Sequence, residues 1–307
     1  MSASPRKLGR SLPSAEVLRK VQRLELRTRG LVESLFSGEY LSIFHGRGME
    51  FSHVRGYIPG DDVRTIDWRV TARLGVPYVK QYVEERDTLV VLVVDVSASG
   101  RLAPGDRSVG EVAAEIAGAL AFAAARNHDR SALLLVSDRV EHFLPPGSGR
   151  QHTIRLLAEL LDHRPQGKRT NLTPGLERVS TMKAGRATVC LISDFIQDRR
   201  DSAFTAALGR LARTHDLVAV RLISDASDEL PDIGWVEMTD PESGRRIVID
   251  TGSRRVRDRY RHSVHVEHAA MAALLTEVGA ELVEVNTALD PLAPLADFFR
   301  RRQRAKS

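Results

Sequence analysis

The sequence is poor in cysteine and has no long apolar stretch. Only one cysteine occurs among the 307 residues, so an internal disulfide is excluded and a reducing cytoplasm is the expected compartment. Cys190 lies within an apolar segment, where we expect a buried thiol. No stretch reaches the ~20 apolar residues that a membrane helix needs, and the polar, basic start lacks the apolar segment of a secretory signal. The sequence therefore predicts no membrane span.

Motifs for nucleotide binding and covalent catalysis are also missing. No Gly-rich turn follows the first buried strand, and there is no phosphate-binding lysine loop. Gly147-Ser148-Gly149 precedes a predicted helix, but it follows a hairpin and is weak support for a phosphate site. No nucleophile elbow and no Cys–His pair is present. We therefore expect a protein that is not an enzyme.

The charge balance is mildly basic, with 45 basic and 40 acidic residues and a net charge of +5. The excess lies in the first thirty residues and near the end of the chain, at Arg300, Arg301, Arg302, Arg304 and Lys306. A solvated helix face and a frayed tail explain this pattern; contact with nucleic acid or an acidic partner is the alternative. Aromatic residues are not interleaved with these charges, which disfavours binding of single-stranded nucleic acid.

From Thr88 onward, predicted strands and helices alternate. This pattern predicts an α/β fold with a doubly wound, mostly parallel sheet and helices on both faces. The strands 132–136 and 140–144 are separated by three residues, so they must form a hairpin, and one of them must be antiparallel. The predicted strands are 88–94, 132–136, 140–144, 187–193, 217–223 and 281–285.

The domain organisation follows from the same patterns. Residues 1–13 are expected to be a disordered basic arm, and 14–87 a helix capped by Ser14 followed by a β-rich segment. Residues 88–290 are expected to form the α/β domain, with a hairpin insertion near 235–249. Residues 291–307 are expected to form a C-terminal helix and a basic tail.

Oxygen-bearing side chains follow the first buried strand of this domain. Asp95, Ser97 and Ser99 alternate at its end, and α/β sheets bind ligands outside the carboxyl ends of their strands. Hard oxygen ligands suit Mg²⁺, Mn²⁺ or Ca²⁺. The alternative is a polar turn that caps the next helix.

A second aspartate and a threonine extend this candidate metal site. Ser-Asp follows three strands, at Asp138, Asp194 and Asp225. Asp138 is expected in a hairpin turn away from the crevice, whereas the sheet reverses its winding beside Asp194. Thr173 precedes a proline and is expected to cap a helix, which leaves Thr170 as the freer ligand.

The segment before the α/β domain is dense in charged and aromatic residues. A turn held by salt bridges around a packed tryptophan is the simplest interpretation, and a partner surface or a cap over the site is the functional one. Adjacent carboxylates on a turn diverge, which disfavours a catalytic pair. The residues concerned are Arg55, Tyr57, Asp61, Asp62, Arg64, Asp67 and Trp68.

These motifs resemble two known families. Asp95, Ser97, Ser99, Thr170 and Asp194 look like the metal-ion-dependent adhesion site of von Willebrand factor A domains, and residues 88–287 resemble that fold. The segment from Arg55 to Trp68, with Arg73, resembles the signature of the domain-of-unknown-function 58 (DUF58) family. Many members of that family begin with membrane helices, which this chain lacks.

The resemblance implies a function without catalysis. It implies a Mg²⁺-dependent protein-interaction module that binds an acidic side chain of its partner. It also implies that the protein is an adaptor or assembly factor that acts together with a MoxR-type AAA+ ATPase. Two alternatives stay open: a metal-dependent hydrolase using Asp61, Asp62 or Asp67, and a nucleic-acid-binding protein using the basic ends.

Overall fold

The fold is described from a computed structural model. It covers residues 14–36, 49–84, 88–98, 107–167, 169–182, 185–196, 201–224, 228–239 and 246–304. The predicted basic arm 1–13, Ser99 and Asp225 lie outside these residues. The predicted domain limits at 87 and 290 stay a prediction.

The N-terminal part consists of a long helix and a small β-structure. Helix α1 spans Ala15–Phe36, and the Ser14 hydroxyl caps it by accepting a hydrogen bond of 3.2 Å from the Val17 amide. Strands β1 (Met49–Gly56) and β2 (Tyr78–Glu84) pair antiparallel. Between them lie a 3-10 turn, Val63–Thr65, and a short helix α2, Trp68–Leu74.

Helix α2 is an element that the sequence pattern missed, because only strands and loops are expected there. Its boundary signals are nevertheless present. The Asp67 carboxylate accepts hydrogen bonds from the Arg69 and Val70 amides at 3.0 and 3.2 Å, and Gly75 ends the helix with a φ of 74°. An aspartate before a helix and a left-handed glycine after it are the preferred caps.

The large sheet confirms the predicted fold class. The strands after β2 are β3 (Leu89–Asp95), β4 (Arg130–Val136), β5 (Val140–Ser148), β6 (Thr188–Ser193), β7 (Asp216–Ile223), β8 (Trp235–Thr239), β9 (Arg246–Asp250) and β10 (Glu281–Asn286). Six of them form this sheet in the order β10-β7-β6-β3-β4-β5, and every neighbouring pair is parallel except the edge pair β4–β5. Counted from β3, this is the doubly wound order 3-2-1-4-5-6, with the winding reversed between β3 and β6.

Helices cover both faces of this sheet. Strand β3 is buried on both sides, which explains its unbroken apolar run. The helices after α2 are α3 (Val109–Arg126), α4 (Gly149–Asp162), α5 (Thr173–Ser180), α6 (Ser202–Thr214), α7 (Arg254–Glu277) and α8 (Leu292–Arg304). Two neighbouring residues of β3 show the alternation: Leu92 packs in the core under α1, α3, α4 and α8, whereas Val91 packs under α5, α6 and α7.

Helix α1 is docked on this body by apolar contacts and by ion pairs. Val17 and Val21 are buried in the core. The buried Glu115 carboxylate of α3 pairs with Arg27 of α1 at 3.1 Å and also with Arg107. Among the described helices, none is long and apolar enough to cross a membrane.

Candidate functional site

The candidate site lies where the winding of the sheet reverses. Strands β3 and β6 are parallel neighbours, and Val94 pairs with Ile192. The next residue of each strand, Asp95 and Ser193, therefore projects from the same face at the carboxyl edge. This is the edge at which doubly wound proteins bind ligands.

The Asp95 carboxylate is held in a defined orientation. Its Oδ1 accepts a hydrogen bond of 2.9 Å from the Ser97 amide, and its Oδ2 accepts one of 2.6 Å from the Ser193 hydroxyl. Burial raises the pKa of Asp95, while the hydrogen bonds from Ser193 and Ser97 oppose that rise. Burial therefore disfavours the anion unless positive charge is supplied.

Two hydroxyl groups meet beside Asp95. Thr170 Oγ1 donates a hydrogen bond of 3.0 Å to Ser97 Oγ. Ser97 is 2% exposed and Thr170 is 9% exposed, so both hydroxyls are largely removed from bulk water. The Ser97 hydroxyl also bonds to the Asp95 carboxylate. The structure thus joins three of the five predicted ligands in one cluster.

Asp194 lies at the end of the neighbouring strand. Its Oδ1 accepts a hydrogen bond of 3.0 Å from the Ile196 amide, which turns the chain away from β6. Asp194 also borders a cavity of about 400 Å³ whose far wall includes Tyr260 and Met271 of α7. The fifth predicted ligand, Ser99, lies outside the described residues.

The prediction that Thr173 caps a helix is wrong. Leu172 occupies the cap position of α5, and the Asn171 side chain accepts the bond from the Thr173 amide at 3.0 Å. The buried Thr173 hydroxyl has no hydrogen-bond partner within the described part of the chain. Thr173 therefore could not be set aside as a helix cap. Thr170 is nevertheless the threonine that contacts Ser97.

One further residue of the site was not predicted. Ser193 orients Asp95, and the parallel register of β3 and β6 is the signal that could have found it. Asp138 lies in the hairpin turn between β4 and β5, as predicted. This turn approaches Gly167 closely, since a Cβ atom on Gly167 would lie 2.5 Å from Asp138 Oδ1.

The charged segment between β1 and β2 uses several of its side chains internally. Arg55 pairs with both carboxylate oxygens of Asp61 at 2.8 and 2.7 Å, and this pairing holds the pKa of Asp61 below its usual value. Asp67 caps α2. Tyr57 precedes the turn that contains Asp61, and Asp62 follows it. The Arg64 side chain lies outside the part of the chain that the structure describes. Trp68 is not packed as expected: it is 69% exposed.

The chemistry of the donor set fits a hard divalent cation. Asp95, Asp194, Ser97 and Thr170 supply only oxygen atoms, which Mg²⁺, Mn²⁺ and Ca²⁺ prefer. Within the described ranges, no basic side chain forms an ion pair with the buried Asp95. The same ranges contain no cluster of three or more His, Cys, Asp or Glu residues that could hold a metal ion. Cation binding at this site would therefore need the serine and threonine hydroxyls as ligands. Ion binding stays a prediction.

The strand order and the antiparallel edge strand define a doubly wound α/β protein with a von Willebrand factor A-like fold. The chain belongs to the DUF58 family, described as proteins of unknown function, whose family model matches residues 53–270.

Similar proteins come from several bacteria. An uncharacterized protein of Mycobacterium tuberculosis, Rv1480, is 30% identical over 285 residues, covering 92% of this chain and 88% of that protein. The structure is similar to an aerotolerance-related membrane protein from Bacteroides fragilis, with a TM-score of 0.48 and 14% identity over 71% of this chain and 99% of that one. It is also similar to a von Willebrand factor type A protein from Catenulispora acidiphila, with a TM-score of 0.39 and 11% identity over 74% of this chain and 43% of that one.

Proposed function

We propose that this protein is a non-catalytic interaction module that binds an acidic side chain of its partner through a divalent cation. Asp95, Ser97, Ser99, Thr170 and Asp194 would hold the ion. The observation that carries the proposal is the contact between Thr170 and Ser97 beside the buried Asp95 carboxylate. Fold class and family point in the same coarse direction, to a protein-interaction module.

The protein's own residues set the charge of such a site. Ser193 and the Ser97 amide fix both oxygens of Asp95, so little reorganisation is needed when a cation arrives. Because most of the remaining donors are neutral hydroxyls, two carboxylates only balance the charge of a divalent ion. The ion, when bound, would supply an open position that a partner carboxylate completes.

Exposed apolar residues in the segment between β1 and β2 favour a surface for a partner protein in this segment. Trp68 is 69% exposed, and Ile58 and Val63 are also exposed. Large apolar side chains on a surface are typical of interaction sites. We propose that this surface and the cation site serve one partner, a MoxR-type AAA+ ATPase, and that the protein acts as its adaptor or assembly factor. The cytoplasmic location stays a prediction.

The hydrolase alternative is not supported by the contacts of two of its three candidate residues. Asp61 uses both oxygens to bind Arg55, and Asp67 uses its carboxylate to cap α2. A general base must reach the proton that it abstracts, and these groups already serve the local fold. The nucleic-acid alternative is weakened because Arg302 pairs internally with Asp216.

A capture assay tests the proposal. The full chain is immobilised and a purified MoxR-type ATPase is presented with Mg²⁺ or with EDTA. We expect capture that requires Mg²⁺ and is abolished by the double substitution Asp95→Ala and Ser97→Ala. The control is Asp162→Ala, which removes an exposed aspartate at the end of α4. Capture that survives EDTA and the double substitution would contradict the proposal. EDTA-resistant binding of nucleic acid that falls steeply with salt would favour the alternative.

A further inference from the structure

A buried glutamate anchors the segment that carries Thr170. Glu141 of β5 accepts a hydrogen bond of 2.6 Å from the Gly167 amide and one of 3.1 Å from the Gln166 amide. It also accepts one of 2.6 Å from the Ser137 hydroxyl. Its side chain is only 3% exposed. One carboxylate therefore satisfies two backbone amides of a loop that lies 25 and 26 residues further along the chain.

The loop backbone fits closely into this anchor. A Cβ atom on Gly167 would lie 2.1 Å from Ser137 Oγ and 2.9 Å from Glu141 Oε1, so any other residue here would displace these two side chains. Glycine therefore lets the amide reach the carboxylate while Ser137 and Glu141 keep their positions. On the other side of Thr170, the Asn171 amide donates a bond of 2.9 Å to the Ser137 carbonyl.

Thr170 thus lies between two anchored points. Glu141 holds the chain at Gly167, and Ser137 holds it at Asn171, so the Thr170 hydroxyl is directed at Ser97. We infer that Glu141 is a positioning residue of the cation site, which keeps Thr170 at the distance where its hydroxyl meets that of Ser97. This inference rests on the proposed function, because it assigns Glu141 a role in the same site.

The electrostatics of Glu141 agree with a permanently charged anchor. Burial alone would raise the pKa of Glu141, but the bonds from Ser137, Gly167 and Gln166, helped by nearby His163, outweigh it and lower the pKa. A charged acceptor makes stronger hydrogen bonds than a neutral one. Replacing the carboxylate by an amide of the same size should therefore loosen the loop while preserving its packing.

The test compares Glu141→Gln with Glu159→Gln. Glu159 is a suitable control because it is also partly buried and bonded to neighbouring side chains, His142 and Arg155, but not to the loop. We expect Glu141→Gln to accelerate amide hydrogen exchange at Gln166 and Gly167 about tenfold or more. Its affinity for Mn²⁺ should fall about 10-fold or more, as is typical when the group supporting a ligand is changed. Glu159→Gln should change neither quantity.

Each result decides the inference. Unchanged exchange in Glu141→Gln would overturn it, as would faster exchange with unchanged Mn²⁺ affinity. If the wild type binds no Mn²⁺, the proposed function fails, and the exchange comparison alone decides whether Glu141 anchors the loop. Should Glu141→Gln fail to fold, Ser137→Ala provides the same test, because it removes one bond to the carboxylate. The same two readouts then apply.

Discussion

The hydroxyl of Thr170 donates a hydrogen bond of 3.0 Å to the hydroxyl of Ser97, which precedes it by 73 residues. Ser97 in turn bonds to Asp95, so a chain of polar contacts runs from one loop to the end of the central strand. Removing a carboxylate from water costs free energy unless its charge is compensated. The proposed cation would compensate the charge of Asp95.

The two threonines of the loop are expected to differ in function. Thr170→Val removes the hydroxyl that meets Ser97 and should weaken Mn²⁺ affinity about tenfold or more. Thr173→Val removes a buried hydroxyl without a hydrogen-bond partner in the described part of the chain. It should leave the affinity unchanged and keep or raise the thermal midpoint. Calorimetric titration measures the first effect and thermal unfolding the second. A loss of affinity only in Thr173→Val would move the threonine ligand to that position.

Helix α5 is expected to depend on a glycine at its contact with β4. A Cβ atom on Gly175 would lie 2.5 Å from Val136 Cγ2, whereas one on Gly118 in α3 would meet Leu157 at an ordinary 3.6 Å. Gly175→Ala should therefore cost about 1–3 kcal/mol of unfolding free energy. Gly118→Ala should be neutral or stabilise by up to ~1 kcal/mol, because alanine is the better helix former. Denaturant unfolding compares them, and equal effects would refute this account of the packing.

The contribution of Glu141 to stability is expected to depend on pH. Its pKa is lowered in the folded protein, whereas the pKa of a glutamate in an unfolded chain is ~4.3. The stabilisation is therefore complete above that value and is lost as the pH falls through the lower folded pKa. The difference in thermal midpoint between wild type and Glu141→Gln should be large at about pH 7 and shrink below about pH 4. A difference that stays constant with pH would show that the charge is not what stabilises the loop.

The sheet and the first half of the site could be predicted because they follow from local pattern. The apolar run of β3 marks a strand buried on both faces, and a strand end carrying Asp95 must lie at the carboxyl edge. Asp194 follows by the same argument from β6. The three residues between β4 and β5 leave room only for a hairpin.

The remaining features depend on contacts between distant segments or on short elements. The bond from Gly167 to Glu141 spans 26 residues, and no periodicity indicates it. Thr173 precedes a proline as a cap residue does, but Leu172 occupies the cap position and the amide of Thr173 bonds to the Asn171 side chain. Helix α2 is too short to show a helical period, and only its caps at Asp67 and Gly75 indicate it.

The most direct test of the central claim is a calorimetric titration of the full chain with Mn²⁺. The comparison is between wild type, Asp95→Asn and Asp194→Asn, each checked for folding by thermal unfolding. We expect the wild type to bind one Mn²⁺ per chain. The affinity of both variants for Mn²⁺ should be lower by about tenfold or more. A folded wild type that binds no Mn²⁺, or variants that bind it as well as the wild type does, would contradict the assignment of a cation to this site.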